Sequence, residues 1–582
     1  MPEPIPDLNR DQTCHHFQAP TGHSRIRVDV PEAASFKWLF PQGKATLYAF
    51  GVGTVTRILL ERRGSPDLCN LFVSLIAPTL PQQDNGVAMM NALLIYPKFP
   101  DTYWSFKHAL SFQGKRAAQP PLGLMTVAAL LPASWPKRLI DTNVERLTDA
   151  DLAWADVAMI SGMHAQHEHL IAIVERCRAH GLRTVVGGPI TSSMSAAVLN
   201  ADHVVIGEAE TLIAGLAHDL TVHRAQPVYQ AAERPAMSSS PLPDLSLIKM
   251  NCYSTMTVQY SRGCPFNCEF CDIIEIYGRR PRTKAVAQVL AELDNLQQAG
   301  WRDAVFVVDD NFIGNKKRAK ELLSAMAEWG QTHGYPFRFI TEASLNLADD
   351  RELLQLFKDA RFTSVFLGIE TPDEQSLIAN NKLQNTHRDL LESIERIQQY
   401  GIEVMGGFIL GFDTDREDIF DRMVEFIQKS AIPLAMVGLL QAMPGTQLFR
   451  RLCSEGRILN AGGGNNTECD LNFIPRMDAA RLIEGYRSVM KRIYSPAAYY
   501  ERVRLLLSRC RPANTSRVTY CNLRAVASSI VRQGLIGRGR LSYWKFMIST
   551  LTRHPRSFGV AMTLAVKGYH FQIMTERLLE VD

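Results

Sequence analysis

The chain has little cysteine, almost no net charge and no apolar run long enough to cross a membrane. Its apolar stretches are all shorter than the ~18 residues of a spanning segment, and the run over residues 47–60 is broken by Gly51 and Gly53. Eleven cysteines in 582 residues are too few, and oddly numbered, for a disulfide framework. Acidic residues precede any apolar run, which is unlike a secretory signal. These absences predict a cytoplasmic protein without a transmembrane segment.

Three of the cysteines are close neighbours in a C-x3-C-x2-C spacing, namely Cys264, Cys268 and Cys271, and the aromatic Phe270 precedes the last. Three such thiolates can hold three irons of one [4Fe–4S] cube, which leaves the fourth iron open to a small chelating molecule. A structural zinc site usually takes four ligands, often as two C-x2-C pairs. The nearest other cysteine, Cys252, lies on a different segment. The spacing therefore predicts an iron–sulfur site.

The region around these cysteines alternates between strand-like and helix-like segments. Residues 256–260 read as a strand before the motif, and residues 284–298 read as a helix after it. Five more strand candidates follow at βα intervals, namely residues 304–312, 337–344, 364–371, 403–412 and 435–444. Helices are predicted between them, for example over residues 317–329 and 416–429. This alternation predicts a parallel sheet with its chemistry at the carboxyl ends of the strands.

Polar residues and glycines are concentrated at those strand ends, where ligands bind in parallel α/β folds. Each residue alone is as well explained as a strand-end cap or one half of an ion pair. As a set they predict a binding site, and the two glycines would allow a ligand or backbone to approach a strand closely. The set is Asp309, Asp310, Asn311, Glu342, Glu370, Gly406, Gly407 and Gln441.

A second α/β unit precedes the cysteines. Its five predicted strands are residues 91–97, 137–141, 157–161, 183–186 and 204–208, and its helices are residues 122–131 and 167–180. The pattern is typical of a doubly wound sheet, which carries many kinds of ligand. No G-x-G-x-x-G follows the first strand, which argues against a dinucleotide site.

Taken together, residues 90–477 resemble the cobalamin-binding-domain radical S-adenosylmethionine (SAM) enzymes, and most closely the subgroup that contains hopanoid C-2 methylase. The motifs that carry the resemblance are residues 123–124, 154–156, 161–164, 187–189, 207–208, 261–272, 277–279, 308–315, 368–372 and 410–413. The resemblance implies an α/β fold in which a Rossmann-like cobalamin-binding domain precedes a partial (β/α)6 barrel. It also implies three cofactors: a [4Fe–4S] cluster, SAM and cobalamin.

The resemblance assigns roles to the candidate residues. The strand-end set and Phe270 would contact SAM, while Ser161, Gly187, Gly188, Gly207 and Glu208 would lie at the cobalamin. Relatives that ligate cobalt with histidine use D-x-H-x-x-G, and this chain lacks that string. His164, His167 and His169 have a different spacing. The resemblance therefore implies cobalamin bound without a histidine ligand.

The activity implied by the resemblance is methylation of an unactivated carbon of a small-molecule or lipid substrate. An electron donor such as flavodoxin or ferredoxin would serve the cluster, and no nucleic-acid partner is expected. Two alternatives remain at this stage: a radical rearrangement or ring formation without net methyl transfer, and a cobalamin or redox sensor without turnover.

The domain organisation predicted from the sequence has five parts. Residues 1–88 form an unassigned extension, with disorder as one alternative and translation from Met89 or Met90 as another. Residues 89–225 form the cobalamin-binding domain, 226–250 a linker, 251–475 the barrel and 476–582 a helical domain.

The helical domain is basic. From residue 477 onward there are 18 Lys and Arg against 6 Asp and Glu, although the whole chain carries a net charge of +4. Its clearest predicted helices are residues 486–494, 497–510 and 544–551. We expect a cap over the barrel mouth. The charge would either contact an acidic barrel or attract anionic lipid headgroups, so peripheral membrane contact stays open.

Overall fold

A computed structural model describes residues 89–465, 469–510 and 520–580, together with five strands between residues 15 and 59. The chain divides into two compact units, Met1–Gly86 and Val87–Asp582. In the first unit β1 (His15–Gln18) pairs with β2 (Arg25–Val28), and β3 (Ser35–Leu39), β4 (Thr46–Gly51) and β5 (Thr54–Leu59) form an antiparallel sheet. The sequence analysis assigned no element to this region.

The second unit begins with a six-stranded parallel sheet in the order β7-β6-β8-β9-β10-β11. Its strands are β6 (Ala92–Tyr96), β7 (Lys137–Asp141), β8 (Val157–Ser161), β9 (Arg183–Gly187), β10 (His203–Ile206) and β11 (Val228–Gln230). The last strand, β11, lies in the segment that the sequence predicts to be a linker. The sequence does not predict this strand because it is short and exposed and therefore has no apolar run. The order reverses between β6 and β8, where doubly wound sheets bind ligands beyond the carboxyl ends.

Helices cover both faces of this sheet. They are Lys107–Gln113, Leu122–Leu130, Asp149–Trp154, His167–Ala179, Ala196–Leu199 and Ile213–Thr221, of which the first packs against the C-terminal domain. Alternate residues of β6 point to opposite faces, so Leu94 packs with one helix layer and Leu93 with the other. Both side chains are fully buried. This two-sided burial explains why the strand reads as a continuous apolar run.

The barrel is a second six-stranded parallel sheet, whose strands lie in sequence order. A short hairpin of β13 (Ser261–Arg262) and β14 (Arg282–Thr283) follows its first strand. The barrel strands are β12 (Met256–Val258), β15 (Ala304–Val307), β16 (Arg338–Ala343), β17 (Phe362–Glu370), β18 (Glu403–Leu410) and β19 (Ala435–Leu439). Its helices are Ile273–Ile276, Val286–Gln298, Lys316–Thr332, Arg351–Asp359, Glu374–Ala379, Leu390–Gln399, Ile419–Ser430 and Gln447–Ser454. The predicted partial barrel is confirmed, with β12 and β19 as its two edges.

The C-terminal domain is helical, as predicted. Its α-helices are Ala479–Ile493, Pro496–Arg509, Tyr520–Ser529, Arg540–Arg553 and Phe558–Glu580, and a π-helix spans Ile530–Ile536. Within the described ranges, none of the helices combines the length and the apolar composition that a bilayer crossing requires.

The domain does not cap the barrel mouth. The first helix passes along the edge next to β19, from Leu482 beside Gly411 to Tyr494, whose hydroxyl donates to the carbonyl of Ala435 at 2.7 Å. Lys567 pairs with Glu403 at 3.4 Å, at the amino end of β18. These contacts place most of the domain at the amino ends of the strands. The expected cap is therefore wrong, because helix amphipathicity does not reveal which end of a barrel a helix will cover.

Candidate functional site

The three cysteines lie on a loop that is held in place by the β13–β14 hairpin on one side and by the region after β17 on the other. Gly263 has φ +93°, and a Cβ there would lie 2.7 Å from the carbonyl oxygen of Gly278, so only glycine allows this approach. The amide of Cys264 donates to that same carbonyl at 3.2 Å. Further along, the amide of Glu269 donates to the carbonyl of Asn380 at 3.0 Å. The loop is therefore fixed against its hairpin and against the region after β17.

The cysteine side chains suit an iron–sulfur cluster. All three are free thiols. Asn311 Nδ2 lies 3.7 Å from the sulfur of Cys264, and Gln384 Nε2 lies 3.6 Å from that of Cys268. Hydrogen bonds to the sulfurs are one way in which proteins tune the potential of such clusters. Burial raises the pKa of the Cys264 and Cys271 thiols, so a bound cation is needed to hold them as thiolates.

The arrangement is less suited to a single metal ion. Nowhere in the described part of the chain do three His, Cys, Asp or Glu side chains converge on one ion. In a cubane cluster each thiolate binds a different iron, so the three sulfurs stand apart from one another. The three-thiolate donor set therefore fits a cluster that leaves one iron open.

Asp309 positions the start of this loop. Its carboxylate accepts the amides of Tyr260 and Ser261, both at 2.8 Å, and the hydroxyl of Ser261 at 2.6 Å. Asp310 accepts the amide of Gly263 at 3.0 Å. Burial raises the pKa of Asp309 to about 7 and that of Asp310 to about 6. Asp309 therefore holds the start of the loop, and its contact with SAM stays a prediction.

Glu342 is a further carboxylate at the barrel mouth, and it differs from Asp309 in its partners. No described side chain or amide donates to its carboxylate, and Asp309 and Asp310 are its charged neighbours. Burial, then these neighbours, raises the pKa of Glu342 to about 8. Such a group needs a cationic partner, and the amine of SAM is one. Glu370, by contrast, is paired with Lys382 at 2.5 Å.

The two glycines of β18 face opposite sides of the sheet. A Cβ on Gly407 would lie 2.9 Å from the ring of Phe366, whereas one on Gly406 would meet Phe408 at 2.8 Å. Alternation along β17 and β18 places Phe366 and Gly407 on the inner face of the barrel. Trp104 also lies against Phe366, with the ring centroids 4.8 Å apart. Only Gly407 therefore opens space inside the barrel, and the wall there is apolar.

Phe270 and Gln441 contribute to the rim in different ways. Phe270 packs on Phe412 with ring centroids 5.9 Å apart. Gln441 donates to the carbonyl of Asp470 at 2.6 Å, which anchors the segment that follows helix Gln447–Ser454. Both residues lie near the barrel mouth, and the hydrogen bond of Gln441 holds the backbone at its rim.

The first domain offers space at the carboxyl ends of its strands. Gly188 has φ +88° and a Cβ there would lie 2.3 Å from Ser161 Oγ, so β8 and β9 approach closely at this point, just past Gly187. Gly207 has φ +96° and a Cβ there would meet nothing within 4 Å. The open space at Gly207, next to the close approach of the strands at Gly188, fits a bulky planar ligand such as a corrin.

His164 is not free to bind a metal in this arrangement. Its Nδ1 lies 2.8 Å from Ser193 Oγ, and its Nε2 lies 2.8 Å from the carbonyl oxygen of Gly462. His169 Nδ1 accepts the amide of Lys98 at 2.8 Å. Both contacts agree with the expectation that cobalamin is bound without histidine, which stays a prediction.

Glu208 joins the two domains. Its carboxylate binds Arg262 at 2.6 Å and Arg282 at 2.5 Å, and Glu210 binds Arg262 at 2.7 Å. The arginines stand on the β13–β14 hairpin beside the cysteine loop. The contacts of Glu208 in the structure are these ion pairs, and its contact with cobalamin stays a prediction. Sequence reasoning missed Arg262, Arg282 and Glu210, because nothing in the chain signals pairing over such distances.

Comparisons with known proteins divide the chain in the same way. The B12 binding domain profile matches residues 117–217, the Radical SAM superfamily profile residues 258–427, and a domain of unknown function, DUF4070, residues 446–581. An uncharacterized methyltransferase of Synechocystis sp. is 41% identical over 490 residues, which covers 83% of this chain and 91% of the relative. Hopanoid C-2 methylase of Rhodopseudomonas palustris is 36% identical over 484 residues, or 81% and 91% of the two chains.

Two solved structures share the fold. The cobalamin-dependent SAM radical enzyme OxsB, with aqua-cobalamin and SAM bound, superposes with a TM-score of 0.55 at 13% identity and covers 94% of this chain and 89% of its own. The radical SAM methyltransferase TsrM of Kitasatospora setae, with cobalamin and a [4Fe–4S] cluster bound, gives 0.54 at 14% identity, with 80% and 100% covered.

The family is established by the two methyltransferase relatives, each more than a third identical over nine-tenths of its own length. The matches to the Radical SAM and B12 binding domains identify the cofactors as a [4Fe–4S] cluster, SAM and cobalamin. The chain belongs to the cobalamin-dependent radical SAM methyltransferases, in the group that includes hopanoid C-2 methylase.

Proposed function

We propose that the protein methylates an unactivated carbon of an apolar small molecule, with a polycyclic lipid as the leading substrate class. The observation that carries this proposal is the joining of the two cofactor regions. Glu208, at the carboxyl edge of the first domain, binds the hairpin that flanks the cysteine loop. This ion-pair junction holds the carboxyl edge of the first domain beside the cysteine loop, which supports methyl transfer between two neighbouring cofactors.

The protein's own residues bind and orient in this reaction. Cys264, Cys268 and Cys271 would hold the cluster, and the unpartnered carboxylate of Glu342 would bind the amine of SAM. When bound, the cofactors supply a 5′-deoxyadenosyl radical that removes a hydrogen atom from the substrate, and a methyl group that replaces it. Under this proposal each product would use two SAM molecules, one cleaved to give the radical and one to restore the methyl group. A flavodoxin or ferredoxin would deliver two electrons for each product, one for each of these steps.

The barrel wall supports an apolar substrate. Ile340, Phe366 and Ile409 alternate with buried residues along their strands, and each remains partly exposed on the inner face. Trp104 extends this apolar surface. Aliphatic and aromatic walls with a few polar groups at one end are typical of sites for apolar ligands. Hopanoid C-2 methylase, a relative at 36% identity, is named for a polycyclic lipid.

The test is a product assay with the reconstituted protein. Under anaerobic conditions, with a reductant, cobalamin and methyl-deuterated SAM, a hopanoid serves as the first probe. We expect 5′-deoxyadenosine and a product that carries one labelled methyl group. Formation of 5′-deoxyadenosine without gain of a labelled methyl group would contradict the proposal in favour of a rearrangement. Failure to form any 5′-deoxyadenosine would contradict enzymatic turnover altogether.

A second arm identifies the natural substrate. Untargeted lipid and metabolite profiles of wild-type cells and cells lacking the gene are compared, and the variant with all three cluster cysteines replaced by Ala serves as the matched control. We expect the deletion strain and the variant to lack the same methylated compound. A missing compound that is water-soluble would contradict the apolar substrate class while leaving the methylation intact.

A further inference from the structure

The C-terminal domain carries an exposed apolar ridge that its own folding does not need. We define the ridge by the six side chains Leu535, Ile536, Leu541, Trp544, Ile548 and Leu551. Leu541 is 82% exposed and Ile536 is 74% exposed. Contiguous apolar surface of this kind usually marks a site of interaction.

The ridge is separate from the face that packs into the core. On helix Arg540–Arg553 the side chains of Tyr543, Phe546, Met547 and Thr550 are buried against the rest of the domain. The ridge residues of the same helix recur at intervals of three and four, which places them along a second face. A helix on a protein surface needs only one apolar face to pack. The second face is therefore available to a partner.

Every charged residue of the segment that carries the ridge, residues 535–556, is basic. Arg538, Arg540, Lys545, Arg553 and Arg556 are exposed, and no ion pair involves them among the residues that the structure describes. The chain contains no Asp or Glu at all between Glu501 and Glu576. Unlike the basic residues that pair with the barrel, these cations have no counterion within the described part of the chain.

We propose that this face docks the protein on an anionic lipid bilayer. The ridge would enter the boundary between headgroups and acyl chains, and the flanking cations would bind the anionic headgroups. A bilayer meets both features at once. A second copy of the chain would bring cations against cations across a two-fold interface, and a nucleic acid would leave the ridge uncovered. The inference is independent of the proposed methylation, because vesicle binding requires neither cofactor nor turnover.

The test is vesicle flotation of the full chain. Vesicles of phosphatidylcholine alone are compared with vesicles that also contain phosphatidylglycerol, at about 0.1 M and about 0.5 M salt. We expect binding to the anionic vesicles that weakens in the higher salt. The ridge variant, with Ile536→Ser, Leu541→Ser and Ile548→Ser, should partition at least about tenfold less strongly. The cation variant, with Arg538→Gln, Arg540→Gln and Lys545→Gln, should lose a similar factor at low salt.

The matched control replaces three exposed apolar residues outside the C-terminal domain, Val198→Ser and Val222→Ser in the first domain and Leu242→Ser in the linker. This control should bind vesicles like the wild type. An environment-sensitive fluorophore on Ile548→Cys gives a second measurement, since its emission should shift to the blue with anionic vesicles. Failure of the wild type to bind anionic vesicles would overturn the proposal. So would equal binding by the ridge variant, or a dimer that the ridge variant dissociates.

Discussion

Replacing Glu208 by Gln should loosen the cysteine hairpin from the cobalamin-binding domain. The Glu208 side chain is only 4% exposed and accepts from Arg262 at 2.6 Å and from Arg282 at 2.5 and 3.0 Å. Glutamine preserves the volume and one acceptor oxygen but removes the charge. Arg282 would then lose its carboxylate partner and keep neutral acceptors, among them the carbonyl of Pro235 at 2.6 Å.

The magnitude follows from the burial of these groups. Removing one partner of a buried ion pair typically costs about 3–5 kcal/mol, because the other charge stays buried and uncompensated. Arg262 keeps Glu210 at 2.7 Å, so we expect the lower end, about 3 kcal/mol. That corresponds to an increase of about a hundredfold in the population of the open hairpin. Salt should change the effect little, because the charges are shielded from solvent ions.

Native-state hydrogen exchange measures this directly, since amides of β13 and β14 would exchange faster when the hairpin opens. Glu233→Gln is the matched control, because Glu233 is exposed. Arg282→Met, alone and together with Glu208→Gln, completes a double-mutant cycle with an expected coupling above about 1 kcal/mol. If Glu208→Gln changes protection no more than Glu233→Gln, the network is energetically neutral and our reasoning about the domain junction is refuted.

Three further predictions concern the cofactor sites. Replacing Cys264, Cys268 and Cys271 together by Ala should abolish bound iron and its charge-transfer absorbance, and retention of about four irons per chain would contradict the cluster assignment. Because the pKa of Glu342 is raised to about 8, the folded protein keeps a proton that the unfolded chain releases between about pH 4.5 and 8, so stability falls as pH rises through that window. Glu342→Gln should therefore raise the thermal midpoint of the cofactor-free protein at pH above about 8 but not near pH 4. The same substitution should weaken SAM binding. An unchanged midpoint and an unchanged affinity for SAM would show that Glu342 is already neutralised. Paramagnetic resonance of the cob(II)alamin form should show no nitrogen splitting from a histidine, and a splitting that disappears in His164→Ala would refute this.

Local patterns in the sequence were enough to predict the cluster loop and the succession of most strands along the chain. Cys264, Cys268 and Cys271 lie within one short loop, so their spacing alone restricts them to a common site. The apolar run of β6 likewise predicts its strand, because burial on both faces of a parallel sheet requires an unbroken apolar run. The short strand β11 escaped prediction because it is exposed and has no such run.

The partners of polar residues were decided by the tertiary structure. Asp309, Glu208 and Glu342 look alike as acidic residues at strand ends. Asp309 meets the amide of Ser261, Glu208 meets Arg282 on another domain, and Glu342 meets no donor among the described residues. Which carboxylate remains available depends on groups distant in the chain that only folding brings near. The position of the basic C-terminal helices is likewise decided by the tertiary structure. Their amphipathic pattern determines that one face of each helix is buried, whereas the shape of the barrel determines which part of the barrel that face contacts.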